Sequence, residues 1–304
     1  MTSAIQVDNI SKWYGDFQAV QDLSFDVHQG EIFAVLGPNG AGKSTSIRMI
    51  LDIIKPDSGN IRIMGAPMSD ATKNRIGYLP EERGLYKTVK VLDMMIYLGR
   101  LKGLDKASAK SRAMTLLEQL DLADNANSKV DELSKGMQQK VQFAVTIMHQ
   151  PELIIIDEPF SGLDPVNRLV IKGLIEDLRE QGTAIVMSTH QMNQVEEMAD
   201  RMLMISRGQR KLYGEVHEIR NEYAQHAIII EGEGQWEQLH GVAGVEDVNN
   251  RQSAKLLHLQ PDVTMDEVLA AIAQSPDTNV QRFERAVPSL DEIFIRVAGE
   301  KTYA

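Results

Sequence analysis

Residues 37–44 combine glycines with a lysine and a serine at a spacing that can bind a polyphosphate. They are Gly37, Pro38, Asn39, Gly40, Ala41, Gly42, Lys43 and Ser44. Glycines without a Cβ let backbone N–H groups approach phosphate oxygens closely. Lys43 would reach the β- and γ-phosphates, and Ser44 would offer its hydroxyl to Mg²⁺. A glycine-rich turn that binds nothing is the alternative, but the apolar run before the loop and the helix pattern after it favour the phosphate site.

Two acidic residues follow the apolar run of residues 153–156, which predicts a strand buried on both faces. Ligands of doubly wound sheets collect at the carboxyl ends of the strands, so Asp157 is predicted to lie beside the phosphate loop as a magnesium ligand. Glu158 would reach the attacking water. His190 ends the β-rich run of residues 183–189 at the same edge, where we expect a contact with the γ-phosphate. A lone histidine after a strand is otherwise an ordinary polar loop residue.

Trp13 and Tyr14 are predicted to lie in the loop between the first two strands. An exposed ring there could stack on a nucleotide base, and packing against the edge of the sheet is an equally good interpretation. Ser134 precedes an amphipathic helix that is predicted to run to about residue 149. Its simplest role is therefore to cap that helix.

The elements that must position these residues alternate between strands and helices. The spacing of apolar residues becomes helical between about residues 88 and 150, with one helical stretch over residues 91–123. The other predicted elements are strands at 5–7, 19–27, 32–36, 60–65, 76–80, 153–156 and 183–190, helices at 43–53 and 165–181, and a hairpin at 201–213.

From about residue 221 the pattern starts again in the order β-α-β-β-α-β with one extra helix, which predicts a ferredoxin-like α+β domain. No cluster of catalytic residue types lies there, so dimer contact or regulation is the leading interpretation. We therefore divide the chain into residues 1–220 and residues 221–304. The predicted strands are 227–230, 245–248, 255–259 and 279–283, and the predicted helices are 236–240, 265–273 and 289–297.

The composition excludes several classes of protein. The chain of 304 residues contains no cysteine, so a disulfide framework, a thiolate metal site and a cysteine nucleophile are ruled out. The net charge is −11, and residues 221–304 carry 6 basic and 14 acidic residues, or −8 of that total. This acidity argues against a nucleic-acid surface. No secretion signal or bilayer-spanning run is visible, so we expect any membrane role to depend on a partner.

Five motifs occur together in one order, and as a set they resemble the ATP-binding subunits of ABC transporters over about residues 3–215. The motifs are the phosphate loop, Leu133-Ser134-Lys135-Gly136-Met137-Gln138, the run into Asp157-Glu158, Ser161-Gly162-Leu163-Asp164, and His190. Residues 76–86, the motif around Ser134 and the acidic C-terminal region look like the bacterial branch that includes sodium and drug exporters.

The resemblance implies an α/β fold: a P-loop NTPase core of a mixed sheet flanked by helices, with a small antiparallel β subdomain and a helical insert. It implies ATP and Mg²⁺ as ligands, a head-to-tail dimer with a second copy or a homologous ATPase subunit, and transmembrane permease subunits as partners. The protein would lie in the cytoplasm, attached through the permease to the inner face of the membrane, and would not bind nucleic acid.

The resemblance also implies a role for each motif. Tyr14 would stack on adenine, Glu158 would polarise the water, and Asp164 would act across the dimer interface. Ser134 and Gly136 would contact the ATP that is held by the other copy. The residues implied to hold phosphates and Mg²⁺ are Lys43, Ser44, Thr45 and Asp157, with His190 on the γ-phosphate.

The chain departs from the family pattern at two places. Glu81 stands where the family has a glutamine, and we assign it a catalytic and metal-binding role in which a carboxylate acts differently from an amide. Lys135 and Met137 replace a glycine and a glutamine of the signature motif. The leading interpretation is an export ATPase, and the alternative is a soluble ABC ATPase of repair, translation or cofactor assembly.

Overall fold

In the computed structural model, contacts between residues divide the chain into two units, residues 1–216 and 217–304. No helix among the described residues is long and apolar enough to cross a bilayer. The structure describes residues 3–82, 84–224, 226–233, 244–251, 254–260, 262–273 and 279–299.

Strands and helices alternate through most of the described chain. The strands are β1 (Ser3–Tyr14), β2 (Phe17–His28), β3 (Ile32–Leu36), β4 (Ser58–Ile63), β5 (Ile76–Leu79), β6 (Leu153–Asp157), β7 (Ala184–Thr189), β8 (Arg201–Ser206), β9 (Gln209–Glu215), β10 (Ala227–Glu233), β11 (Val245–Arg251), β12 (Ala254–Leu259) and β13 (Asn279–Arg285). The helices are α1 (Lys43–Ile50), α2 (Asp70–Lys73), α3 (Val91–Leu101), α4 (Lys106–Gln119), α5 (Lys135–Ile147), α6 (Pro165–Glu180), α7 (Met192–Met198), α8 (Val216–Glu222), α9 (Met265–Ala273) and α10 (Leu290–Gly299).

A six-stranded sheet in the order β5-β6-β7-β3-β8-β9 forms the centre of the first unit. The first five strands are parallel, and β9 is antiparallel to β8. Every residue of β3, β6 and β7 is buried, as expected for strands covered on both faces. This mixed sheet confirms the predicted α/β class.

A separate antiparallel sheet in the order β2-β1-β4 packs its apolar residues into the core that also contains Phe33 and Val35 of β3. The prediction that Trp13 and Tyr14 lie in the loop was wrong, because β1 continues through both residues. They pair with Gln18 and Phe17 of β2, which leaves a turn of only two residues. Aromatic residues favour extended backbone, and this preference extends the strand beyond its alternating part.

The helical insert consists of α3, α4 and α5 rather than one continuous stretch over residues 91–123. Gly103, with φ of +90°, lies between α3 and α4, where few residues other than glycine are relaxed. The Asp105 side chain then accepts hydrogen bonds from the N–H groups of Ala107 and Ser108 and caps α4. The predicted cap of α5 is confirmed, since the Ser134 hydroxyl accepts from Met137 N–H at 3.2 Å.

The second unit contains a four-stranded antiparallel sheet in the order β11-β12-β10-β13. This is the strand order of the predicted ferredoxin-like domain. The sheet and α9 share an apolar cluster that includes Ile228, Leu257 and Ile272. The helix predicted at residues 236–240 lies outside the described residues.

The contact of α5 with β5 gives a stability prediction. A Cβ on Gly77 would lie 2.5 Å from the backbone oxygen of Thr146, so Gly77→Ala should lower the free energy of unfolding by about 1–3 kcal/mol. Gly173 lies within α6 with nothing within 4 Å of its Cβ position, so Gly173→Ala should raise that energy by about 0.5–1 kcal/mol. Urea unfolding measures both. A Gly77→Ala protein as stable as the wild type would contradict the packing.

Candidate nucleotide site

Most of the predicted site residues lie at the carboxyl edge of the central sheet, where four neighbouring strands end. The phosphate loop follows β3, Glu81 follows β5, Glu158 follows β6 and His190 follows β7. They border one cleft of about 280 Å³. Its lining comprises Tyr14, Phe17, Ala19, Asn39, Gly40, Ala41, Gly42, Lys43, Ser44, Thr45, Glu81, Asp157, Glu158 and His190.

Two glycines let the phosphate loop pack against neighbouring backbone. A Cβ on Gly37 would lie 2.2 Å from the carbonyl oxygen of Ile205, and one on Gly42 would lie 2.6 Å from that of Ala19. Gly42 also has φ of +109° and lies just before α1, so no side chain at this position caps the first N–H groups of the helix. The positive end of α1 is therefore directed at the cleft, where it favours an anion.

Lys43 is held against the loop from which it projects. Its Nζ donates to the carbonyl oxygens of Gly37 at 2.7 Å and of Pro38 at 3.2 Å. Burial lowers the pKa of the ammonium, and the carboxylates of Glu158, Asp157 and Glu81 act in the opposite direction. The cation therefore lies ready for an anionic ligand among three acidic side chains.

The carboxylate of Glu158 is fixed by residues at the end of β7. Its Oε1 lies 2.6 Å from His190 Nδ1 and accepts from His190 N–H at 3.0 Å, while its Oε2 accepts from the Thr189 hydroxyl at 3.2 Å. Glu158 has φ of +51°, which is a strained conformation for a residue with a Cβ. Its N–H is bound to Ser188 O at 2.9 Å. This geometry directs a buried carboxylate into the cleft.

Asp157 ends β6 beside the phosphate loop, as predicted. Burial raises the pKa of its carboxyl, and Glu81 and Glu158 raise it further, whereas Ser188 and Lys43 lower it. Within the described residues, no group of three or more histidine, aspartate or glutamate side chains is arranged to hold a metal ion. Asp157, Glu81 and Ser44 nevertheless present oxygen donors to one cleft. Such a set fits Mg²⁺, which binds through few carboxylates together with phosphates and water.

Tyr14 and Phe17 also line the cleft. They are directly paired across the two-residue turn and are 49% and 63% exposed. Directly opposed residues of an antiparallel pair project from the same face. The sequence reasoning missed Phe17, although the hairpin register could have identified it.

Five predicted ligand residues do not line this cleft: Gly37 and Pro38 at the start of the phosphate loop, and Ser134, Gly136 and Asp164. Ser134 caps α5, and Asp164 caps α6 by accepting from Asn167 N–H at 3.0 Å. Gly136 has ordinary backbone angles, and a Cβ there would approach Asn167 Nδ2 only to 3.8 Å. Within one chain, Ser134, Gly136 and Asp164 therefore lie outside the cleft that the phosphate loop borders.

Comparison with known proteins agrees with the motif set. The family model described as ABC transporter matches residues 20–161, and the model of the C-terminal domain of DrrA1-3-like ATP-binding proteins matches residues 214–298. The uncharacterized ABC transporter ATP-binding protein YhaQ of Bacillus subtilis is 37% identical over 97% of this chain and 98% of its own length.

Other relatives have names that include a function. The linearmycin resistance ATP-binding protein LnrL of Bacillus subtilis is 32% identical, over 97% of this chain and 98% of its own length. The Nod factor export ATP-binding protein I of Sinorhizobium fredii is 31% identical, over 98% of this chain and 87% of its own length. A solved ATP-binding subunit of an ABC transporter superposes with a TM-score of 0.67 and 31% identity over 72% of this chain and 93% of that one.

The buried ammonium in the phosphate loop gives the next prediction. Lys43→Met keeps the apolar stem but removes the charge, so we expect the affinity for ATP with Mg²⁺ to fall roughly 10-fold to 100-fold. Titration calorimetry measures this. Lys172→Met, which removes a cation paired with Glu197 on the surface, is the control and should bind as the wild type does. Equal affinity of the Lys43 variant would exclude the loop as the phosphate site.

Proposed function

This chain belongs to the ATP-binding proteins of ABC transporters, and from that premise we propose that it hydrolyses ATP to ADP and phosphate to drive export through separate membrane subunits. One observation carries the proposal. The phosphate loop, Asp157 and the Glu158–His190 pair border one cleft at the carboxyl edge of the sheet. A phosphate-binding cation and a buried, oriented carboxylate are the two groups that water attack on a phosphate requires.

Each side chain has a role that its position allows. Lys43 and Thr45 bind phosphate oxygens, and Glu158 accepts a hydrogen bond from the attacking water and takes its proton. His190 contacts the γ-phosphate, since its ring is half exposed while bound to Glu158. Asp157, Ser44 and Glu81 would hold Mg²⁺, which supplies positive charge to the phosphates. Burial raises the pKa of Asp157, and the carboxylates of Glu81 and Glu158 raise it further; a divalent cation would act in the opposite direction.

Tyr14 would stack on the adenine ring. Both Tyr14 and Phe17 are exposed and line the cleft. Aromatic faces can stack on a base without hydrogen bonds, so an exposed ring at this cleft has a role when a nucleotide is bound.

We assign the second half of the nucleotide pocket to a second copy of the chain or to a homologous ATPase subunit. Ser134, Gly136 and Asp164 lie outside the cleft of their own chain. Ser134 and Gly136 nevertheless occupy the motif positions that the family resemblance assigns to ATP contact. A head-to-tail dimer would bring Ser134 and Gly136 to the γ-phosphate held by the partner copy. ATP would then stabilise the closed dimer, and hydrolysis would release it.

The helical insert offers a surface for the membrane subunits. Tyr86 and Tyr97 are exposed and meet edge to face with ring centroids 6.2 Å apart, and Leu101 on the same helix as Tyr97 is exposed as well. Exposed aromatic and aliphatic groups so close together indicate a contact surface. The loop of residues 81–86 contributes to it, except that residue 83 lies outside the described residues. Through this contact the protein would attach to the cytoplasmic side of the membrane.

The relatives named for linearmycin resistance and Nod factor export support export rather than import. The C-terminal domain matches the family model of DrrA1-3-like ATP-binding proteins over residues 214–298. We propose a contact or regulatory role for this domain of residues 221–304. Its acidity fits a partner that is not nucleic acid.

Glu158→Gln tests the catalytic assignment. The amide cannot accept the proton from water, so steady-state phosphate release should fall roughly 100-fold or more while ATP binding persists. Light scattering should show that ATP traps this variant as a dimer. Glu197→Gln, which changes an exposed residue of α7, is the matched control and should turn over ATP normally. Full turnover by Glu158→Gln would remove Glu158 from this role.

Gly136→Ala tests the dimer. The added methyl group meets only ordinary contacts in its own chain, so the fold should be retained and the thermal midpoint should not fall. In the Glu158→Gln background, we expect ATP-driven dimerisation to require roughly tenfold more protein, because the methyl group would clash with the partner's nucleotide. Gly173→Ala in the same background is the control and should dimerise normally. A Gly136→Ala dimer of unchanged affinity would contradict this interface.

A further inference from the structure

A largely buried polar cluster lies next to Glu158. It is formed by Thr189, the last residue of β7, with Gln191 and Gln194 at the start of α7. Thr189 is completely buried and Gln194 is 2% exposed. Neither residue lines the cleft, so neither can touch a ligand bound there.

The hydrogen bonds of this cluster converge on the Thr189 hydroxyl. Its Oγ1 lies 3.2 Å from Glu158 Oε2 and 3.1 Å from Gln194 Oε1, and it accepts from Gln191 N–H at 3.1 Å. The Gln194 amide nitrogen donates to Gln191 Oε1 at 2.8 Å. This bond fixes the amide so that its carbonyl oxygen faces Thr189.

A threonine hydroxyl has one hydrogen, and here two acceptors compete for it. When the hydrogen points to Glu158, the carboxylate is held at both of its oxygens, because His190 holds the other one. When it points to Gln194, Oε2 of Glu158 loses this donor. Either orientation of the Thr189 hydrogen leaves one buried acceptor without this donor, which costs free energy because that acceptor is buried away from water.

The conformation of Glu158 makes such a support necessary. With φ of +51° the residue lies outside regular strand geometry, so neighbouring strand pairs do not fix its side chain. The ring of His190 is half exposed at the cleft, whereas the Thr189 hydroxyl is enclosed by protein. Thr189 is thus the support that a ligand cannot displace.

We propose that Thr189 is a positioning residue that holds the carboxylate of Glu158 for attack by water, and that Gln194 sets where the Thr189 hydrogen points. The proposal rests on the proposed ATPase function and deepens it. Thr189 acts through Glu158 and does not touch substrate. Its loss should therefore lower kcat and leave KM and ATP affinity unchanged.

Two substitutions at Thr189 separate a hydrogen-bonding role from a packing role. Thr189→Val keeps the volume and removes the hydroxyl, so kcat for phosphate release should fall roughly 10-fold to 100-fold. Thr189→Ser keeps the hydroxyl and removes a methyl group, so kcat should stay close to that of the wild type. A packing role would give the reverse order, with Ser the more damaged variant.

Thr183→Val is the matched control, because this buried threonine just before the other end of β7 donates to Pro151 O and lies far along the strand from Glu158. It should leave kcat unchanged. A Thr189→Val protein with wild-type kcat, or a Thr189→Ser protein as slow as Thr189→Val, would overturn the proposal. Absence of ATP turnover in the wild-type chain would instead overturn the ATPase function itself.

Gln194→Met tests the second part in a double-mutant cycle with Thr189→Val. If Gln194 acts through the Thr189 hydrogen, its substitution should change kcat by threefold or more in the wild type and should have no further effect in Thr189→Val. Equal effects in both backgrounds would show that Gln194 acts independently and would overturn its assignment. Thermal midpoints of all four proteins report any loss of folding separately from kcat.

Discussion

The register of the parallel strands is the constraint on which the site depends. Leu36 of β3 is paired with Thr189 of β7, and Asp157 of β6 is paired with Ser188. These pairings end three strands at one level, so the phosphate loop, Glu158 and His190, which follow the three strands, border the same cleft. A slip by one residue would turn every side chain of a strand to the other face. The fully buried apolar runs of these strands prevent such a slip, because it would disturb two cores at once.

Local strain accompanies this convergence. Glu158 directly follows β6 in a left-handed conformation that costs about 1–3 kcal/mol for a residue with a side chain. Its N–H and both of its carboxylate oxygens are bonded to residues 188–190 at the end of β7. The sheet therefore stabilises a backbone turn that would not persist alone. The result is a carboxylate directed across the edge of the sheet instead of along the strand.

The sequence predicted those parts of the site that depend on short spacing. The phosphate loop, the acidic pair after the buried strand and His190 were all assigned to one edge, and the structure brings them into one cleft. Apolar runs bounded by glycine, proline or charge identify strands well because burial on both faces leaves a continuous signal.

The parts that were missed depend on pairing between distant residues. Phe17 enters the cleft only because it is opposite Tyr14 in the hairpin, and Gln194 is buried only because α7 packs behind the site. The seven residues of α7 are mostly polar and show no clear apolar periodicity, so this helix was not predicted. The break between α3 and α4 was also missed, since apolar spacing continues through it while Gly103 and Asp105 end one helix and begin the next.

The helix that begins at Ser134 is also joined to the loop that carries Glu81. Gln142, on the same helix α5, lies under this loop, and its amide nitrogen is 3.4 Å from Pro80 O and 3.3 Å from Glu82 O. Gly77 of β5 packs against the backbone of Thr146 one turn further along. In the proposed dimer, the partner's nucleotide would act on the first turn of α5. Because a helix moves as a rigid element, a displacement of the first turn of α5 would be transmitted to the Glu81 loop and to the exposed surface beside it.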